Sequence, residues 1–211
     1  MNAPSTRLKL GALGLAVGIV VLALPVWLPL LGTALAIDDA IQPGEVALVL
    51  EGTAKDATDA AENWRQQGTV HDVVIVEAPV KTHALVAYWS DFVRWGLAPA
   101  ATTPAEHLQV VRARSTQAAE QAQAALPAVQ RAAARRVLVP GGGGIGSRLV
   151  ERELLSVFGP YGIDVRLVRY RDDGRDPARW YQNADDRRAV LDSWLQLLVP
   201  FLSAYEPGAG T

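Results

Sequence analysis

The stretch Arg135–Leu154, RRVLVPGGGGIGSRLVEREL, decides the fold of this chain. It opens on a short apolar run, Val137–Val139, that is typical of a buried strand, and its last part predicts an amphipathic helix from Ser147. Between them lie five glycines: Gly141, Gly142, Gly143, Gly144 and Gly146. Because glycine has no Cβ, such a loop can turn several N–H groups toward one anion. A flexible turn without a ligand explains the same residues, since no lysine follows to make a phosphate loop.

Further apolar runs predict four more buried strands, at Val46–Leu50, Val73–Val76, Leu108–Val111 and Val165–Tyr170. Segments of helical spacing alternate with them: Asp56–Gln67, Thr82–Trp95, a segment that starts at Ser115 or Thr116 and is interrupted near Pro127, and Ala184–Tyr205. This alternation predicts a Rossmann-like α/β fold with a mostly parallel sheet of about five strands and helices on both faces. The alternating polarity of Val165–Tyr170 predicts a strand near the sheet edge.

The composition narrows the classes of function. The chain has 211 residues, half of them hydrophobic, which favours one domain with a large core. Its formal net charge of −2 gives no reason to expect a nucleic-acid partner. The absence of cysteine excludes disulfides and thiolate nucleophiles. The histidines at 71, 83 and 107 are too scattered to form a zinc site by themselves, and we expect no metal.

The N-terminal region predicts a membrane anchor. The segment Leu10–Ile37 has no charged side chain and exceeds the ~20 residues that a helix needs to cross a bilayer. Basic residues precede it and acidic residues follow it, so we expect a single-pass protein of the cytoplasmic (inner) membrane with an extracytoplasmic domain. The predicted organisation is 1–37 for the tip and transmembrane helix, 38–45 for a linker, 46–205 for the α/β domain and 206–211 for a tail. A cleaved signal peptide is the alternative, because Ala34-Leu35-Ala36 has the small-x-small pattern.

Ligands of parallel α/β sheets bind at the carboxyl ends of the strands. The candidate ligand-binding residues there are Gly52, Thr53, Ser115, Thr116, Gly141, Gly142, Gly143, Gly144, Gly146, Ser147 and Arg148. Arg148 can pair with a phosphate at a helix N-terminus, although a solvated helix arginine explains it as well. Ser115 and Thr116 can bind a ligand or cap a helix. Glu51 is the one candidate catalytic base, because a carboxylate at the end of a buried strand has a raised pKa unless an arginine pairs with it.

The order of the elements resembles that of the YdcF-like (DUF218) family, which includes membrane-anchored relatives implicated in bacterial envelope integrity. The resemblance spans Val46–Phe201 and is carried by short motifs: VALVLEG, WRQQG, VVIVEAP, WGL, Ser115-Thr116, RRVLVP with Arg148 beyond it, GIDVRLVRY and Trp180-Tyr181. The family's Thr-x-Glu-Asn pattern keeps only its threonine here, in the sequence Thr116-Gln117-Ala118-Ala119.

The resemblance implies an anchored protein of cell-envelope maintenance. With the glycine-rich loop, it predicts binding of a small anionic, nucleotide-like or lipid-linked phosphate ligand, and no cofactor can be named. The alternative is an extracytoplasmic hydrolase or transferase that acts on a phosphate-bearing envelope intermediate. The sequence contains no recognisable Ser-His-Asp or paired-carboxylate arrangement, so a binding protein is the leading hypothesis and catalysis stays open.

Overall fold

The computed structural model describes residues 25–50, 55–81, 86–88, 90–91, 107–170 and 176–203. Its strands within these residues are β1 Val46–Val49, β2 Asp72–Glu77, β3 Val80–Lys81, β4 Val86–Ala87, β5 Leu108–Arg112, β6 Arg136–Pro140 and β7 Asp164–Val168. All but β3 and β4 form one five-stranded sheet in the order β5-β2-β1-β6-β7, and every neighbouring pair in it is parallel. The predicted Rossmann-like α/β fold is confirmed.

The helices in the same part of the chain are α1 at residues 25–33, α2 Lys55–Gln66, α3 Ala118–Arg131, α4 Ser147–Phe158 and α5 Ala184–Ser203. Short 3-10 turns follow α4 at Gly159–Tyr161 and precede α5 at Pro177–Gln182. β3 and β4 form a separate antiparallel pair beyond the end of β2.

Helices cover both faces of the sheet, and β1 shows how the sequence specifies this. Val46 and Leu48 belong to a core shared with α3 and α4, whereas Ala47 and Val49 belong to a second core shared with α2. All four side chains are fully buried. Because successive residues of a strand point to opposite faces, a strand buried on both faces must be apolar throughout.

The strand order fixes where a ligand can bind. By their order along the chain, the five strands of the sheet follow the spatial order 3-2-1-4-5 of doubly wound folds. The order reverses between β1 and β6, so the crevice for a ligand is expected outside the carboxyl ends of these two strands. The last strand, β7, lies at one edge, as its alternating pattern predicted: Val165 and Leu167 are buried, whereas Asp164 and Arg166 are partly exposed.

Two details of the predicted helices were wrong. Val86–Ala87 is a strand and not part of a helix from Thr82, although Ser90 and Asp91 are helical; the rest of that predicted helix lies outside the described residues. Pro127 does not interrupt α3, which runs without a break from Ala118 to Arg131. Pro127 and Gln123, the residue one turn before it, are both exposed, so the carbonyl that loses its helical partner is open to water.

The predicted transmembrane helix Leu10–Ile37 is not supported in the part that the structure describes. Residues 10–24 lie outside it, and none of the described helices is both long and apolar enough to span a bilayer. The chain is helical at 25–33 and then continues along the α/β domain. Leu35 has no exposed surface and packs against Trp180 and Val190, so the end of the predicted span is part of the protein core.

Candidate functional site

The glycine-rich loop after β6 needs its glycines for packing and for backbone conformation. Gly143 and Gly146 have φ angles of 81° and 90°, in the left-handed region that favours glycine. A Cβ on Gly142 would lie 2.5 Å from the carbonyl oxygen of Leu167, so the loop passes directly against the backbone of β7. Gly144 has no such neighbour within 4 Å. Close packing therefore explains part of the glycine run without a ligand.

The N–H groups predicted to hold an anion have protein partners. Those of Gly141 and Gly142 donate to the carbonyl of Val168, both at 3.1 Å. The Gly143 N–H donates to the Ile37 carbonyl at 2.5 Å, and the Arg148 N–H donates to the Leu35 carbonyl at 3.1 Å. The loop and the start of α4 thus bind the carbonyl oxygens of residues 34–37, which we call the N-terminal segment.

Side chains at the start of α4 bind the same segment. The Ser147 hydroxyl accepts a hydrogen bond from the Ile37 N–H at 2.7 Å and donates to the Ile37 carbonyl at 3.3 Å. The Arg148 guanidinium donates from Nε to the Ala34 carbonyl at 2.6 Å, although the residue is exposed. Sequence reasoning missed these contacts because their partners lie more than a hundred residues away. An anion bound by the backbone N–H groups of Gly143 and Arg148 would have to displace the N-terminal segment.

A cavity of about 400 Å³ lies on the other side of the loop, at the carboxyl ends of β1, β6 and β7. It is lined by Leu50, Ala57, Thr116, Gln117, Ala118, Gln121, Val139, Pro140, Gly141, Leu149, Val150, Glu153, Leu167 and Tyr170. The cavity occupies the point where the strand order reverses, which is where doubly wound sheets bind ligands. Its volume falls in the range of small-molecule sites.

Two polar side chains of the cavity wall, Gln121 and Glu153, make hydrogen bonds to the protein. Gln121 is almost fully buried and donates from Nε2 to the Thr116 carbonyl at 2.9 Å. Glu153 Oε2 accepts a hydrogen bond from the Ala119 N–H at 3.2 Å, across from α4 to the first turn of α3. A helix N-terminus attracts negative charge, and here the protein supplies that charge itself. The cavity wall is otherwise largely apolar.

The structure divides the predicted site residues between the two places. Thr116 and Gly141 line the cavity, whereas Gly143, Ser147 and Arg148 contact the N-terminal segment. The predicted residues Glu51, Gly52 and Thr53 lie outside the described residues; they follow Leu50, which lines the cavity.

Ser115 does not cap α3 directly. Its Oγ accepts a hydrogen bond from the Gln117 N–H at 3.2 Å, and the helix begins one residue later. Gln117 is the N-cap residue and its side chain makes no capping bond, so neither Ser115 nor Thr116 plays the predicted capping role.

A buried acidic cluster at the ends of β2 and β5 was not anticipated. Glu77 is 4% exposed and accepts hydrogen bonds from the Ser90 N–H at 2.7 Å and the Ser90 hydroxyl at 2.6 Å. Arg112 pairs with Glu77 in the strand register, its Nε lies 3.8 Å from that carboxylate, and it donates to Asp91 at 2.6 Å. Among the described residues, no buried side-chain nitrogen or oxygen lacks a partner. We therefore interpret this cluster as structural.

Two carboxylates, Glu45 and Glu151, have pKa values that are shifted in opposite directions. Burial tends to raise the pKa of Glu45, but hydrogen bonds from the Arg136 and Arg135 N–H groups outweigh it and lower the pKa. Burial and the charge of Asp39 raise the pKa of Glu151 against the opposing charges of Arg148 and Arg166.

The site therefore consists of a mainly apolar cavity at the strand-order reversal, next to a glycine-rich loop whose outer face binds the N-terminal segment. In the described ranges, no group of three or more His, Asp or Glu side chains is arranged to hold a metal ion. Comparisons of the chain with protein-family models, with curated proteins and with solved structures gave no match.

Proposed function

We propose that the chain is a membrane-anchored, YdcF-like envelope protein that binds a small ligand in the cavity between the carboxyl ends of β1 and β6. The single observation that carries this proposal is the position of the cavity at the reversal of strand order. Thr116 and Gly141, both candidates from the sequence, contribute to its wall. Anchorage is supported by the uncharged segment Leu10–Leu24, which leads directly into α1.

The chemistry of the wall favours a ligand with an apolar body and a neutral or cationic polar group. The apolar side chains include Leu50, Val139 and Leu149, and the carboxylate of Glu153 is the charged group among the described lining residues. A phosphate bound here would be repelled by Glu153. The phosphate-bearing ligand expected from the glycine run would instead need the donors of Gly143 and Arg148, which requires release of the N-terminal segment.

Binding without turnover remains the leading hypothesis. Glu153 shares its carboxylate with the Ala119 N–H, so it is held at the first turn of α3 and is poorly placed to move a proton. The alternative hydrolase or transferase depends on Glu51, the candidate base that would follow Leu50 at the cavity edge. Loss of phosphodiester hydrolysis in Glu51→Gln, with an unchanged melting temperature, would favour the enzyme.

The binding proposal is tested by thermal shift of the full chain in detergent micelles. The probes are uncharged and cationic small amphiphiles, inorganic phosphate and nucleotides. Val150→Phe should fill the cavity and abolish the stabilisation by an apolar ligand. Val157→Phe is the matched control, because Val157 is also partly buried on α4 but does not line the cavity.

The outcomes separate the two sites. Stabilisation that survives Val150→Phe would exclude the cavity as the binding site. Stabilisation by phosphate that disappears in Arg148→Ala would instead support the anion site of the glycine-rich loop.

A further inference from the structure

We infer that an apolar face formed by α1 and α5 lies in the lipid bilayer, at the boundary between headgroups and acyl chains. This inference rests on the membrane anchor of the proposed function and not on the ligand site. It assigns lipid as the partner of a surface that would otherwise be exposed to water.

The first observation is a stripe of exposed apolar side chains on α5. Leu191, Leu195, Leu198 and Val199 are exposed by 58%, 60%, 46% and 56%. Their spacing of four, three and one residues puts them on one side of the helix. A contiguous exposed patch of large apolar side chains on a globular domain marks a site of protein or membrane contact.

The second observation is that this stripe borders α1. Leu191 and Leu198 lie one turn before and one turn after Trp194, and the Trp194 indole N–H donates to the Leu31 carbonyl at 3.1 Å. The Trp180 indole N–H donates to the Leu28 carbonyl. α1 is therefore tied to α5 by Trp194 and to the 3-10 turn before α5 by Trp180, and it exposes Trp27 and Leu30 by 62% and 58%.

The third observation is the length of the apolar chain before α1. The segment Leu10–Leu24 has 15 uncharged residues, and as a helix at ~1.5 Å per residue it would cover only ~22 Å. The hydrocarbon core of a bilayer is about 30 Å thick. An anchor that starts at Leu10 must therefore be completed by α1, which brings the attached α5 to the level of the membrane.

The nature of the side chains agrees with a membrane interface. Tryptophan is enriched where acyl chains meet headgroups, and Trp27 is the most N-terminal aromatic side chain of the chain and is exposed. A second copy of the chain could also cover leucines, but it would not explain why the stripe borders the helix that continues from the anchor.

The natural chain has no cysteine, so single-cysteine variants can carry a nitroxide spin label. The full chain is reconstituted into vesicles of phosphatidylcholine and phosphatidylglycerol, with labels at Leu195→Cys, Leu198→Cys or Gln196→Cys. Gln196 is the matched control, because it is exposed on the same helix but lies about 100° around the helix axis from Leu195, outside the stripe. Collisions with oxygen report lipid exposure, and collisions with a water-soluble nickel chelate report water exposure.

We expect the labels at Leu195 and Leu198 to collide several-fold less with nickel than the label at Gln196, and more with oxygen. A label at Ile19→Cys reports the anchor itself. Lipid exposure at Ile19 with water exposure at Leu195 would overturn the inference and leave the anchor standing. Water exposure at Ile19 would overturn the anchor and the inference together. Protection of Leu195 from both reagents, with spin–spin broadening between chains, would identify a second copy as the partner.

Discussion

The Ser147 side chain and the Ile37 backbone exchange two hydrogen bonds, one from the Ile37 N–H to Oγ at 2.7 Å and one from the hydroxyl to the Ile37 carbonyl at 3.3 Å. Ser147 is 4% exposed and is the first residue of α4, the helix that supplies one wall of the cavity. The N-terminal segment thus occupies the helix terminus at which an anion was expected. The contribution of this attachment to the stability of the fold can be measured.

Ser147→Ala should destabilise the chain by about 1–3 kcal/mol, because the Ile37 N–H loses its partner in a partly buried position. Urea unfolding followed by circular dichroism measures the change. Ser156→Ala is the control: its hydroxyl bonds within α4 to the Glu153 carbonyl and is exposed, so we expect a change within about 0.5 kcal/mol. Equal effects of the two substitutions would mean that the segment is not held by Ser147.

Gly142→Ala should cost about 1–3 kcal/mol, because its Cβ would lie 2.5 Å and 2.8 Å from backbone atoms of Leu167 and Arg169 that cannot rotate away. Gly144→Ala is the matched control, since no atom lies within 4 Å of that Cβ. The comparison is made by thermal unfolding. If Gly142→Ala left the melting temperature unchanged and Gly144→Ala lowered it, the packing role of the loop would be contradicted.

Gly32→Val should detach α1 from the domain. A Cβ on Gly32 would collide with the Pro177 carbonyl and with Trp180, whereas Thr33 is exposed, so Thr33→Val is the control. We expect faster proteolytic cleavage within residues 36–44 in Gly32→Val, with the domain core still resistant. The measurement is limited proteolysis with mass spectrometry. Cleavage rates equal to those of Thr33→Val would argue against tight docking of α1.

The ionisation of Glu45 should make the stability of the folded chain depend on pH. Its pKa is lowered in the folded state, since the hydrogen bonds from the Arg136 and Arg135 N–H groups outweigh the effect of burial. Its stabilisation is therefore fully present above the ordinary glutamate pKa of about 4.3 and is lost as the pH falls through the lower folded value.

Glu45→Gln should accordingly reduce stability on the order of 1 kcal/mol at neutral pH, and the difference from wild type should shrink as the pH falls below the ordinary glutamate pKa of about 4.3. Urea unfolding across this pH range measures it, with the exposed Asp59→Asn as the control. A difference that grows toward acid pH would reverse the predicted sign.

The predicted elements that agree best with the structure are those whose local sequence pattern is compatible with only one kind of secondary structure. Runs such as Val46–Leu50 and Val73–Val76 are apolar at every position, which requires cover on both faces and hence parallel strands with crossover helices. The helix predicted from Thr82 was wrong at Val86–Ala87, because a short apolar run suits a strand as well as a helix, and pairing with Val80–Lys81 makes it a strand.

The sequence alone determined the Rossmann-like parallel sheet, because hydrophobic periodicity and the turn residues are local. With the sheet it identified the end at which folds of this kind bind ligands. The tertiary structure decided which loop donors were already bonded and which side of the loop held a cavity. No local sequence pattern predicts that Ser147 binds Ile37 or that Arg148 binds Ala34. These residues are more than a hundred positions apart, and they meet only when the N-terminal segment packs on the folded sheet.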